Sequence, residues 1–106
     1  MVATIKRVTH RPHAFSGASL RALLDRDLTL AQLVALLHVD GHPGARVGEI
    51  ALALGRSVPA SGRLLEDLVR DGLLTRQEHA SDRRVRAFDT TPEARRLLKG
   101  VGAPKI

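Results

Sequence analysis

The sequence predicts a mainly helical domain with one small β-hairpin, an α+β fold. Three observations predict it. Only Phe15 and Phe88 are aromatic in 106 residues, so Leu, Val, Ala and Ile must build the core. Aliphatic side chains of that size are buried most simply by packing helix on helix. Apolar residues recur at helical spacing as far as Gly72, and beyond it the period shortens to that of extended chain before helix resumes at Thr91.

The elements follow in order. Val2 to Val8 has the character of a short strand, broken at Arg11-Pro12-His13. Ser19 is placed to cap a short helix through Asp25, with Leu20, Leu23 and Leu24 on one face. Thr29 and Gln32 have the spacing of a capping box, in which each side chain satisfies the other residue's free amide. Leu30, Leu33, Val34 and Leu37 then give the inward face expected of a second helix, which ends in the loop of residues 40–44. Arg46-Val47 leads into a third helix at residues 48–54, closed by Gly55.

Ser57 is the expected cap of a fourth helix, and Pro59 fits its first turn, where a missing amide costs little. Leu64, Leu65 and Leu68 form its inward face with Ser61 beside them, and Asp71-Gly72 ends it. Residues 73–77 and 85–89 read as two strands around a turn at residues 80–83. Thr91-Pro92-Glu93 has the cap, proline and acid of a last helix, which Gly100, Gly102 and Pro104 stop. The expected organisation is an N-terminal arm at 1–18, one domain at 19–100 and a tail at 101–106.

Composition excludes several classes of function. The absence of cysteine rules out disulfides and thiolate metal sites. No apolar run is long enough to span a bilayer, and the start lacks the apolar stretch of a secretory signal, so a cytoplasmic protein is expected. There is no glycine-rich phosphate loop, no nucleophile motif and no metal-ligand cluster, so neither enzyme chemistry nor a cofactor is expected. His10 with His13, and His38 with His42, lack acidic companions at ligand spacing and read as exposed polar residues.

The net charge of +6 is unevenly placed. Residues 1–27 carry five basic and two acidic side chains, and residues 81–106 carry seven and three. The middle of the chain is nearly neutral. Charge gathered at two ends of a small domain suits a polyanion, and it also suits a merely solvated surface. The order of elements separates these. Two short helices joined by a tight glycine-containing turn, at 48–54 and 59–70, form a helix-turn-helix unit. With a hairpin following, the fold is a winged helix-turn-helix.

The second helix of such a unit lies in the major groove with its first turns toward base edges. With the leucines inward, Pro59, Arg63, Glu66 and Arg70 point outward, flanked by Ala60 and Gly62. Small residues allow close approach, and Arg63 can make a forked pair of hydrogen bonds to guanine. The alternative for Arg63 is an ion pair with Asp67, four residues on. The hairpin carries Arg83, Arg84 and Arg86, and arginine is attracted to the negative potential of a narrow minor groove. The candidate DNA-binding residues are therefore Arg56, Ser57, Pro59, Ala60, Gly62, Arg63, Arg83, Arg84 and Arg86. The competing reading is a winged-helix protein-interaction module whose basic ends meet an acidic protein.

At these residues the sequence resembles the MarR family of bacterial winged-helix transcription regulators. The resemblance rests on Leu28-Thr29-Leu30-Ala31-Gln32, Val47-Gly48-Glu49-Ile50-Ala51 and Leu54-Gly55-Arg56-Ser57. It continues through Arg63-Leu64-Leu65, Leu68, Asp71-Gly72-Leu73-Leu74, Asp82-Arg83-Arg84 and Thr91-Pro92-Glu93. It implies a recognition helix at 57–70, a wing at 75–89, and an Arg84 that reaches the minor groove. It implies a homodimer as well. Family members usually build the dimer from a long first helix and two long C-terminal helices, whereas here the first helix is short and the chain stops soon after Leu98. Residues 1–27 are the expected interface instead, with Val2, Ile5 and Val8 as a pairing strand and Phe15 as an anchor. The same departure leaves a small-molecule effector doubtful. Gly62 stands where the family often has a polar recognition residue, so weak sequence discrimination is expected.

Overall fold

The computed structural model describes residues 17–78 and 86–99. The expected strand at 2–8, the Phe15 anchor, the hairpin turn at 80–83 and the tail from Gly100 lie outside the described residues. Among the described residues five helices and three strands follow one another: α1 (Gly17–Asp25), α2 (Leu30–Gly41), β1 (Ala45–Arg46), α3 (Val47–Leu54), α4 (Val58–Arg70), β2 (Leu74–Glu78), β3 (Arg86–Thr90) and α5 (Pro92–Leu98). The fold is mostly helical with a small antiparallel sheet, as the sequence predicts.

Local chemistry sets the helix starts. Thr29 Oγ1 accepts from the Gln32 amide at 3.1 Å while Gln32 Oε1 accepts from the Thr29 amide at 2.9 Å, so the capping box is formed. Ser57 Oγ accepts from the Ala60 amide at 3.2 Å, and Thr91 Oγ1 from the Ala94 amide at 3.1 Å. Each of these two caps precedes a proline in the first turn. Two helices end on glycines in the left-handed region, Gly55 (φ 67°) after α3 and Gly72 (φ 79°) after α4. At the second, the Gly72 amide donates to Val69 O and the Leu73 amide to Leu68 O, which turns the chain directly into β2.

Four details differ from the sequence reading. The first helix already runs at Gly17 and is not begun by Ser19 as a cap. Its expected face splits, with Leu23 buried and Leu24 76% exposed. The buried stripe of α2 is Ala35, Leu36 and Val39, and Leu30 stays 76% exposed. Because α2 is apolar almost all round, its periodicity could not choose the inward face, and packing against the neighbouring elements chose it. Finally, a two-residue strand, β1, joins the sheet in the order β1-β3-β2. It pairs Ala45 with Phe88 and Arg46 with Ala87.

The core gathers Leu36 and Val39 of α2, Ile50 of α3, Leu65 and Leu68 of α4, Leu73, Leu74, Phe88, and Ala94 with Leu98 of α5. Phe88, the one phenylalanine among the described residues, is buried where sheet and helices meet. The register carries this face onward. Arg76 pairs with Phe88 and Glu78 with Arg86. Cross-strand partners in an antiparallel ladder share a face and alternate residues return to it. Leu74, Phe88, Arg76 and Arg86 therefore lie on the helix-facing side of β2 and β3. Arg26, just beyond α1, is ion-paired with Glu93 of α5 and donates to Asp71 O at 3.2 Å, tying both helices to the end of α4.

Candidate nucleic-acid interface

The α3–turn–α4 unit presents α4 at the surface. Ser61, Leu65 and Leu68 are buried and Leu64 half-buried, so the helix is seated by its predicted leucine face. On the opposite side Pro59, Arg63 and Arg70 are exposed. Arg56 and Ser57 are exposed where the turn enters the helix, and the Ser57 oxygen is engaged in the cap. Ala60 is half-buried. Gly62 is half-buried too and faces Val47 of α3, with room for a Cβ at ordinary van der Waals distance, 4.0 Å from Val47 Cγ2. It lies at the edge of the outer surface and leaves a smooth flank there.

Arg63 is an open cation of this surface, as is Arg56 at the helix entry. Asp67, its expected alternative partner, is ion-paired with Arg70. Among the described residues Arg63 makes no hydrogen bond or ion pair, so its guanidinium is available to an external acceptor. It is among the residues lining a concavity of about 510 Å³ between α4 and β3. Val47, Val58, Pro59 and Phe88 line this concavity together with Glu66 and Arg86.

The hairpin stands beside α4. Arg86 projects inward from β3 and its Nη1 donates to Glu66 Oε2 at 3.4 Å. Arg76 of β2 donates to Glu66 Oε1 at 2.7 Å. The Glu66 carboxylate, first by that hydrogen bond and then by its charge, holds Arg76 above the ordinary arginine range. Glu66 thus joins recognition-type helix and hairpin, a role that the sequence reading missed. Its only local signal is an acid on the outer face of a helix that is followed by strands carrying arginine. Arg83 and Arg84 lie outside the described residues. His38 and His42 stack with ring centroids 4.3 Å apart, and no group of three or more metal-ligating side chains occurs among the described residues.

Comparison with known proteins agrees with this architecture. The sequence model of the MarR family matches residues 26–85. YfiV of Bacillus subtilis strain 168, an HTH-type transcriptional regulator, is 27% identical over 75 residues, which is 71% of this chain and 47% of YfiV. The crystal structure of the transcriptional regulator Tm0710 from Thermotoga maritima superposes with a TM-score of 0.70 at 28% identity, over 78% of this chain and 58% of Tm0710. The S. aureus MepR–DNA complex gives 0.68 at 30% identity, over 74% of this chain and 65% of MepR. The chain spans about half the length of the curated relative it matches. With more than half of its residues matched by the family model, its helices and sheet arranged as in these solved regulators, and the predicted motifs in their expected order, the chain belongs to the MarR family.

Proposed function

We propose that this protein binds double-stranded DNA as a transcription regulator, with the 57–70 helix in the major groove and the 75–89 wing in the minor groove. One observation carries the reading: Arg63 is exposed and unpaired among the described residues, on the outer face of a helix seated on its leucines. A helix with that exposure can enter a groove without rearranging the core. The MepR structure, similar over 74% of this chain, is itself a DNA complex. Arg56 and the Ser57 hydroxyl lie where phosphate would flank the helix entry. Arg63 reads base edges, and Arg83 and Arg84 hold the minor groove. Few polar side chains line the first turns of α4, so contacts to phosphate and shape dominate over base readout. Such a regulator works in the cytoplasm, and no described helix is long and apolar enough to cross a membrane.

The protein acts as a homodimer in this reading, with residues 1–27 in the interface, because two copies double the contact with DNA. Leu24 is the described apolar residue of that segment left open. It borders a leucine-lined concavity of about 360 Å³ formed with Leu23, Leu28, Leu30 and Leu33.

The test is a duplex-DNA titration at two salt concentrations with wild type, Arg63→Ala, Arg84→Ala and the double variant. Wild type binds at low salt and weakens steeply as salt rises, since each neutralised phosphate releases counterions. Both variants bind more weakly. A wild type that binds no better than the double variant at low salt returns the protein to the interaction-module reading.

A further inference from the structure

We propose that Glu66 is a positioning residue of the DNA interface: it draws Arg76 and Arg86 onto the recognition helix, fixing the wing there and withholding both cations from phosphate. The inference rests on the DNA-binding reading above and adds to it a division of labour among the arginines.

The geometry supports it in three ways. Glu66 lies one helical turn beyond Arg63 on the same outer face of α4, so its charge sits inside the interface itself. Its two carboxylate oxygens are shared between adjacent strands, Oε1 with Arg76 of β2 at 2.7 Å and Oε2 with Arg86 of β3 at 3.4 Å. One side chain therefore clamps both strands of the wing. The clamp also sits where apolar packing gives out. Phe88, directly opposite Arg76, is buried, and the next inward residue of β3 toward the hairpin turn is Arg86. Beyond Phe88, ion pairs of Glu66 with Arg76 and Arg86 join the wing to α4.

The arginines consequently differ in what they can do. Arg63 has no partner among the described residues and is free to meet DNA. Arg76 and Arg86 are engaged, and a phosphate would have to compete with Glu66 for them. A wing held in this way keeps a fixed angle to the recognition helix, and the interface carries fewer mobile cations than its arginine count suggests. Neutralising Glu66 reverses both effects. It removes a negative charge from the DNA face and releases two guanidinium groups.

The experiment is a titration of a mixed-sequence duplex across a range of salt with the full chain and with Glu66→Gln, which keeps shape and removes charge. Glu66→Gln is expected to bind the duplex several-fold more tightly at low salt. The slope of log K against log salt steepens by about 1 for each released guanidinium that meets a phosphate, about 2 when both do. Backbone amides of β2 and β3 exchange faster in the free protein. Adding Arg76→Gln and Arg86→Gln to the Glu66→Gln background restores a slope near that of wild type, because the released cations are then gone. A role in folding alone would lower the melting temperature without steepening the slope, and that result overturns the proposal. So does a Glu66→Gln protein with wild-type slope and wild-type hairpin exchange. If wild type itself fails to bind duplex at low salt, the DNA-binding reading falls, and the same titration shows this separately.

Discussion

Asp89 Oδ1 accepts a hydrogen bond from the Gly44 amide at 2.7 Å, joining the inner strand of the hairpin to the turn that enters the helix-turn-helix unit. The same amide lies 3.0 Å from Phe88 O, so β3 holds the turn through both side chain and backbone. A carboxylate accepting from a backbone amide forms a stronger bond than a neutral pair, though this one is exposed and partly replaced by water. Asp89→Ala is expected to lower unfolding free energy by about 1 kcal/mol in urea titration. Amide exchange should rise at residues 44–46 and 86–90. Unchanged exchange there would mean that backbone pairing alone holds the hairpin base.

Thr91 performs two tasks with one hydroxyl. Its Oγ1 accepts from the Ala94 amide at the start of α5 and donates to Gly72 O at 2.8 Å, across the end of α4. Thr91→Ala removes a cap and a tertiary bond together, at a cost of about 1–2 kcal/mol. Thr91→Ser keeps the hydroxyl and should recover most of that loss in the same unfolding measurement. Equal destabilisation by both variants would assign the effect to the lost methyl group.

Phe88 has the largest described buried side chain, 1% exposed, where sheet and helices meet. Phe88→Ala should cost about 3–5 kcal/mol, cavity included. Small domains hold about 5–15 kcal/mol in all, so this variant is expected to be substantially unfolded at 37 °C by circular dichroism. A cooperative melt close to that of wild type would show that the core closes around the void.

These effects also mark what was legible in the sequence. Three helix starts were readable because a cap is a contact within four residues: Thr29 with Gln32, Ser57 with Ala60 and Thr91 with Ala94 all formed, whereas Ser19 lies inside the first helix. The ends at Gly55 and Gly72 were readable for the same local reason. The inward face of α2 was not, because a helix apolar almost all round carries no periodic signal. Strand β1 is two residues long, too short to show alternation, and exists through its pairing with Phe88 and Ala87. The seat of α4 could be read from Leu65 and Leu68, but the freedom of Arg63 could not, since it rests on Asp67 pairing with Arg70. The place of Arg86 could not be read, since it depends on a carboxylate twenty residues earlier in the chain.

Leu24 and Leu30 are each 76% exposed and line the same concavity. In the homodimer reading, Leu24→Glu puts a charge into the interface, and sedimentation equilibrium should report a shift toward monomer at micromolar concentration. The folded content is expected to stay the same, since the side chain is already open to solvent. Removal of residues 1–15 should act in the same direction. An unchanged mass for both variants would move the interface elsewhere.

The central claim is that the outer face of α4 and the adjoining hairpin meet duplex DNA. Backbone amide shifts of isotope-labelled protein, followed by NMR as a mixed-sequence duplex is added at low salt, test it most directly. The largest changes are predicted at residues 56–63 and along β2 and β3, while α1 and the start of α2 stay nearly silent. Changes centred on Leu24, Leu28 and Leu30 with α4 unperturbed, or no changes at all, would contradict the account.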